Sequence, residues 1–351
     1  MSEKEVSLNP LSATIADIAR RAGVGTATVD RVINSRPGVN VETMEKVMEA
    51  VRALGQPPLM RGRPRKKDNF RFCYVMPADG SNFFDLVERL IAQAAGELRH
   101  QHITHTTHRI NSDDPARMVA DLMEITDCDG MVLVAPDLPA IKLAINEKAR
   151  QGIHIVTLFS DVAGSLRSAY VGADNRAAGR TAGVLLANMA APPQQDTLLL
   201  LSQATRMSGE IERRIGFSQV LEDRFPKLKL ERCLDLPADD AGASKALQTF
   251  LQSIDSSRLT GAYNVGRATA GVSQALKALH GTPAPALMAH GFTPANQAML
   301  IDGSLAYVLH QDIHYCVLTA ARVLKGLCEN VRGTLNIVQP RVEILTAENL
   351  H

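Results

Sequence analysis

Almost no net charge, no long apolar run and no paired cysteines mark this sequence, and each absence removes a class of protein. Lys and Arg number 38 against 37 Asp and Glu, a formal net charge of +1. The chain as a whole is therefore not basic, although a part of it can be. No apolar run approaches the roughly 20 residues that span a bilayer. The opening Met-Ser-Glu-Lys-Glu lacks the basic-then-apolar pattern of a secretion signal. No membrane contact is expected, and the protein is expected to remain in the cytoplasm. Five cysteines, Cys73, Cys128, Cys233, Cys316 and Cys328, are scattered without a CxxC pair, which reads as buried reduced thiols in that compartment. The GxSxG elbow, the P-loop lysine, HExxH and GxGxxG are all missing. No catalytic residue and no cofactor is expected. His100, His102, His105 and His108 lie close in sequence, but from His102 on they alternate across a strand and no cysteine or carboxylate pattern completes a ligand set. No metal is expected either.

What is present is an ordinary globular composition, 45% hydrophobic and 21% charged over 351 residues, enough for two or three domains with cores of their own. Charge is unevenly placed. Residues 1–69 hold twelve Lys and Arg against eight Asp and Glu, while the remaining chain holds 26 against 29. The densest point is Arg61-Gly62-Arg63-Pro64-Arg65-Lys66-Lys67, which has no apolar residue to bring to a core and marks a boundary.

Before it lies a compact helical unit. Thr14 and Asp17 approach a capping box, and Ile15, Ile18, Ala19 and Ala22 share one helical face. Gly23-Val24-Gly25 turns the chain. A second helix over about Thr26 to Asn34 buries Val29, Val32 and Ile33. Asn40 caps a third, whose stripe of Val41, Met44, Val47, Met48, Val51 and Leu54 ends at Gly55 and Pro57-Pro58. Two short helices across a Gly-containing turn, braced by a third, form a helix-turn-helix pattern. The small residues Thr26, Ala27 and Thr28 at the start of the second helix suit base edges or phosphates, and Arg31 can reach guanine or a phosphate oxygen.

The elements Ala22-Gly23-Val24, Thr28-Val-x-Arg-Val-x-Asn34 and Thr43-x-x-Lys-Val47 follow one another at separations that resemble the headpiece of the LacI/GalR-type repressors. That resemblance implies base reading by Thr26 and Ala27, a phosphate-facing Thr28, a major-groove Arg31, and Thr14 and Asn34 in the same DNA-facing set. Two departures stand out. Asp30 occupies a position where the family usually has Ser, and its carboxylate is expected to pair with a neighbouring Arg or to accept from a cytosine amino group. The family's hinge helix is also absent from the pattern, since Pro57, Pro58, Gly62 and Pro64 oppose a helix. In its place Arg61-Gly62-Arg63-Pro64, with Arg65, resembles an AT-hook, whose arginines lie in a narrow A·T-rich minor groove. A basic tether satisfies the same composition.

From Phe72 onward β-rich runs alternate with amphipathic helical stretches. The runs are 72–76, 103–107, 130–134, 153–158, 197–201, 229–233, 261–265 and 286–289. Repeated βα units of this length imply parallel sheets with helices on both faces, and the total exceeds one comfortable sheet. Two lobes with a cleft follow, and ligands in such sheets bind beyond the carboxyl ends of the strands. Aromatic and planar hydrogen-bonding residues recur there, which suits a small polyhydroxylated molecule. Taken singly, Phe84 reads equally as a core residue and Asp174-Asn175 as a helix cap.

The segments Asn82-Phe-Phe-Asp85, Tyr170 to Gly179, Glu212 to Phe217 and Leu300 to Leu305 resemble the ribose-binding type of periplasmic binding protein. By that resemblance Ser81, Phe83, Phe84, Ser160, Asp161, Arg213, Asn264 and Gln311 line the effector pocket, while Gly291 stands where a sugar-gripping Asp is usual. The fold expected is an all-α helix-turn-helix headpiece at 12–57, a basic linker at 58–69, and a two-lobed α/β body at 70–351 with two doubly wound parallel sheets. Lobe 1 takes about 70–172 and 312–340; lobe 2 takes about 173–311 and 341–351. The function expected is operator binding by a homodimer, or a tetramer, acting as a repressor under control of a sugar, polyol or sugar phosphate. The alternatives are an A·T-preferring architectural protein and a sugar-binding transport component.

Overall fold

The computed structural model describes residues 15–33, 38–54, 69–111, 114–279, 284–329, 331 and 337–350. The chain divides into two compact units, Met1–Lys67 and Asp68–His351. In the first, α1 (Ile15–Ala22), α2 (Thr26–Ile33) and α3 (Val41–Leu54) enclose Ile18, Ala19, Val29, Val32, Val47, Ala50 and Val51. Gly23 ends α1 in the left-handed region at φ +66°, a conformation that costs glycine no Cβ clash. The Asn40 Oδ1 accepts from the Thr43 amide at 2.8 Å and starts α3. The apolar stripe expected on α3 is only partly buried. Val41, Met44 and Met48 remain 66%, 44% and 41% exposed, because two eight-residue helices cover only the face that carries Val47, Ala50 and Val51.

The second unit begins with β1 (Phe70–Pro77), α4 (Asn82–Gln93), α5 (Ala95–His100), β2 (Ile103–Ile110), α6 (Pro115–Glu124), β3 (Gly130–Leu133), α7 (Pro139–Arg150), β4 (His154–Leu158) and β5 (Ala169–Val171). These strands form one parallel sheet in the order β2-β1-β3-β4-β5. The chain continues through α8 (Asn175–Ala187), β6 (Thr197–Leu201), α9 (Ser208–Arg224), β7 (Lys229–Cys233), α10 (Asp240–Leu251), β8 (Leu259–Asn264), α11 (Thr269–Lys277), β9 (Ala286–His290), α12 (Pro294–Ile301) and β10 (Tyr307–His310). Last come α13 (Ile313–Cys328) and β11 (Glu343–Leu345). The second sheet runs β11-β10-β9-β8-β6-β7, parallel except for β11.

Central strands are apolar on both faces because helices cover both. In β1, Phe72, Tyr74 and Met76 enter one core while Cys73 and Val75 enter the other, as the two-residue period of a strand requires. Leu199 and Leu201 of β6 likewise separate from Leu198 and Leu200. Helix α13 returns to the first sheet, burying Ile313, Cys316, Val317, Ala320 and Leu324 in its core. The chain therefore crosses between lobes after β5, after β10 and again before β11. Strands β5, β10 and β11, of three or four residues each, are absent from the runs read in the sequence.

Helices α8 and α9 meet backbone to backbone. A Cβ on Gly179 would stand 1.9 Å from the Arg213 carbonyl oxygen, and one on Gly216 2.1 Å from that of Arg176. No side chain fits there without parting the helices, so Gly216→Ala is expected to destabilise the body by about 1–3 kcal/mol. Gly96→Ala, at an exposed helical site with open space around the new methyl, is expected to stabilise by about 0.5–1 kcal/mol. Urea melts of both variants check the pair, and a Gly216→Ala midpoint at or above wild type would contradict the packing described.

Candidate effector cleft and DNA-facing helix

In the first unit Val29 and Val32 anchor α2 by its inner face, which leaves Thr26, Ala27 and Arg31 exposed and Thr28 half-buried. The amides of Thr28 and Val29 close on the Gly25 carbonyl at 2.9 and 3.2 Å. The helix thus presents two small side chains at its first turn and a guanidinium one turn on, a shape suited to a groove floor. Arg20 and Arg21 are also exposed, and Arg20 lies 3.5 Å from Asp17. Thr14, Asn34, Arg61, Arg63 and Arg65 lie outside the described residues.

In the body, the carboxyl ends of both sheets face the junction of the lobes. Ser81 caps α4 and is buried, its Oγ accepting from the Phe84 amide at 3.4 Å. That places Phe83 at the junction, edge-on to Phe159 at 5.4 Å, and a Cβ added to Gly291 across the cleft would lie 3.7 Å from its ring. Phe84, edge-on to the Phe83 ring at 5.3 Å, is buried in the first lobe's core. Ser160 meets Ser208 of the opposite lobe, oxygen to oxygen at 3.1 Å. Asp161 is already committed to Arg167, whose Nη2 donates to its Oδ2 at 2.6 Å, and to Thr157 Oγ1 at 2.8 Å. Gln311 accepts from the Ala173 amide at 2.9 Å and so ties two interlobe crossings together.

The second lobe contributes the least satisfied group. Arg213, 9% exposed, donates from Nη1 to Asn175 Oδ1 at 2.9 Å and from Nη2 to the Val265 carbonyl at 3.4 Å, while its Nε is buried with no partner. Asn264, fully buried, donates to the Arg267 carbonyl and Thr269 Oγ1 at 3.0 and 3.1 Å and leaves Oδ1 without a donor. His310, edge-on to Phe292, has a buried and unpartnered Nδ1. These groups share one rim because β6, β8, β9 and β10 run parallel and in register there, Leu201 beside Asn264 and His290 beside Leu309. Of the residues that bridge the lobes, Ser160 and Asp161 belong to the expected set, whereas Asp79, Arg267 and Ser208 do not. Arg267 Nη1 donates to the Asp79 carbonyl at 2.9 Å and sits 3.2 Å from its carboxylate. Ser208 Oγ donates to the Asp161 carbonyl at 2.6 Å. Asp79 and Arg267 follow strands read in the sequence, and that position was their signal; His310 gave none because β10 was not read, and Ser208 none because its partners lie on the other lobe.

Strain gathers at the same rim. Phe159 and Ala268 adopt left-handed φ values of +60° and +56°, which non-glycine residues hold only where their surroundings enforce it. The body also carries two open depressions, neither of them lined by Arg213, Asn264 or His310. One, about 240 Å³, includes Asp161, Tyr170, Asn175, Ser208 and Gln339; the other, about 460 Å³, lies along Ile211, Arg214, Ile215 and Arg232.

Burial, then the charge of Arg213 and then His310, hold the His290 imidazole well below its ordinary range. Burial lowers His310 as well, against the opposing pull of Asp312. Both are therefore neutral in the fold, whereas the unfolded chain takes up protons near pH 6.5. Stability from this source is fully present above that pH and falls as pH drops below it. His290→Gln is expected to lose less melting temperature than wild type between pH 7.5 and 5.5; an equal loss would contradict the neutral assignment.

Residues 72–330 match the family model of the periplasmic binding protein domain, and residues 14–58 that of bacterial regulatory proteins of the lacI family. The HTH-type transcriptional regulator RegA of Clostridium saccharobutylicum is 38% identical over 74 residues, 21% of this chain and 22% of that protein. MalR of Streptomyces coelicolor, also an HTH-type transcriptional regulator, is 25% identical over 221 residues, 61% of each. The chain thus spans about a fifth of RegA's length and under two thirds of MalR's. Among solved structures, GanP, a glucose-galactose binding protein from Geobacillus stearothermophilus, superposes with a TM-score of 0.69 at 18% identity, over 81% of this chain and 99% of that one. At that identity the likeness establishes the fold.

Proposed function

We propose that this chain, which belongs to the periplasmic binding protein domain family over residues 72–330 and matches the lacI family model over residues 14–58, is a sequence-specific repressor of transcription controlled by a small sugar-like effector held between its lobes. The observation that carries this reading is the rim of Arg213 Nε, Asn264 Oδ1 and His310 Nδ1, buried without partners in the same chain as an exposed helix-turn-helix face. Buried polar atoms are normally satisfied, and three unsatisfied ones on one rim await hydroxyls or an equivalent ligand.

Effector contacts on both sides of the cleft favour one arrangement of the lobes over others. Inverting a population from 99:1 to 1:99 takes about 5.5 kcal/mol of differential binding, within reach of a small ligand that meets Phe83 and Ser160 on one lobe and Arg213 and Asn264 on the other. The protein acts in the cytoplasm as a homodimer on a pseudo-palindromic operator, each α2 placed in a major groove. No chemical step is assigned to the cleft, so the protein is not an enzyme in this reading. The basic segment 61–67 adds phosphate or minor-groove contacts that sharpen affinity rather than sequence choice.

Thr26→Ala is expected to narrow the gap between a selected operator and scrambled duplex by about 1 kcal/mol or more, with non-specific binding little changed. Fluorescence anisotropy on both duplexes reads this, and an unaltered gap would remove α2 from the role of reader.

A further inference from the structure

The charge balance of the cleft narrows the chemistry of its ligand, on the reading that this cleft is the effector site. Arg213 keeps its positive charge at any ordinary pH, yet both of its hydrogen-bond acceptors, Asn175 Oδ1 and the Val265 carbonyl, are neutral. Among the described residues it makes no ion pair. Three carboxylates near the rim are committed elsewhere, and the fourth, Glu210, one turn before Arg213 on α9, forms no ion pair with it. Asp161 is held by Arg167, Asp79 by Arg267, and Asp312 caps α13 by accepting from the Tyr315 amide at 2.8 Å. Removing a cation from water without a counter-charge is among the costliest arrangements a fold can hold. The neighbouring imidazoles do not relieve it, for His290 is itself kept uncharged in part by Arg213.

We propose that the ligand of this cleft is a hydroxylated carboxylate of sugar size, its carboxylate on Arg213 and its hydroxyls on Asn264 Oδ1 and His310 Nδ1. One buried guanidinium matches one negative charge, and the fork that offers Nε and a spare Nη hydrogen has the geometry of a carboxylate. A phosphate monoester near neutral pH carries closer to two charges, and the rim offers no second unpaired cation. The amide oxygen of Asn264 accepts only, so its partner must be a donor such as a hydroxyl. A bare carboxylic acid without hydroxyl groups would leave that oxygen unsatisfied.

The test uses the full chain and matched ligands at equal ionic strength: D-gluconate with D-glucitol, D-glucuronate with D-glucose, D-galacturonate with D-galactose, and the 6-phosphates of glucose and galactose. Melting-temperature shift screens the set and isothermal titration calorimetry gives Kd. At least one acid is expected to bind about tenfold or more tightly than its neutral partner. Arg213→Gln is expected to abolish that margin. Asn264→Asp, which supplies a fixed carboxylate at the rim, is expected to weaken the acid by about tenfold or more; unliganded melts of both variants report whether they fold. The wild-type comparison decides the matter even if neither does. A neutral sugar binding as tightly as its acid, or a sugar phosphate binding more tightly, would overturn the proposal while leaving a sugar-type effector in place. No binding by any member of the panel would overturn both at once, with operator selectivity still standing as a separate result.

Discussion

A guanidinium removed from water needs acceptors, and Arg213 is held where the chain supplies too few. What holds it is not a local preference but the close crossing of α8 and α9, where Gly179 and Gly216 let backbones touch. That contact places Arg213 on the Asn175 amide and the Val265 carbonyl and leaves its Nε buried without a partner. In the proposed reading a bound ligand would supply the missing partner, which is how preorganised binding sites differ from packed cores.

Both lobes reach this rim by one topological route. Each sheet places its first strand between its second and third, so the strand order reverses beside β1 in one lobe and beside β6 in the other. Crevices at such reversals are the natural sites for ligands. Here the loops that leave them are joined directly by Asp79 and Arg267, and Ser160 and Ser208 close a second contact. Polar, exchangeable contacts of this kind hold two lobes together without fixing them as an apolar seam would, which leaves their balance open to a small molecule.

The headpiece and the core strands were legible because each declares itself locally. Gly23 must turn the chain, Val29 and Val32 must be buried, and runs such as Leu198 to Leu201 admit no solvated face. Strands β5 and β11 escaped because three residues cannot establish a period, and β10 because Tyr307 and His310 leave it only two apolar residues, whereas β3, equally short, is apolar throughout. The stripe on α3 was overread for a related reason: periodicity reports which residues share a face, not how much of that face a neighbour is long enough to cover. At the cleft, the resemblance pointed to Phe83, edge-on to Phe159, and to Arg213 and Asn264, each with a buried unpartnered atom. It could not separate Phe84, one residue on from Phe83 and buried in the core, or foresee that Asp161 is already held by Arg167. Nor could it find Ser208, whose role exists only because the other lobe comes to it.

Coupling between the cleft and α2 is what the proposed function requires, and operator affinity with and without ligand measures that coupling directly. An operator selected from random duplex DNA, titrated with the full chain in the absence and in saturating presence of a ligand that stabilises the body, is expected to give affinities that differ by about 5-fold to 150-fold. Equal affinities, with the ligand shown to be bound, would mean that sensor and reader share a chain without sharing an equilibrium, and would contradict the account.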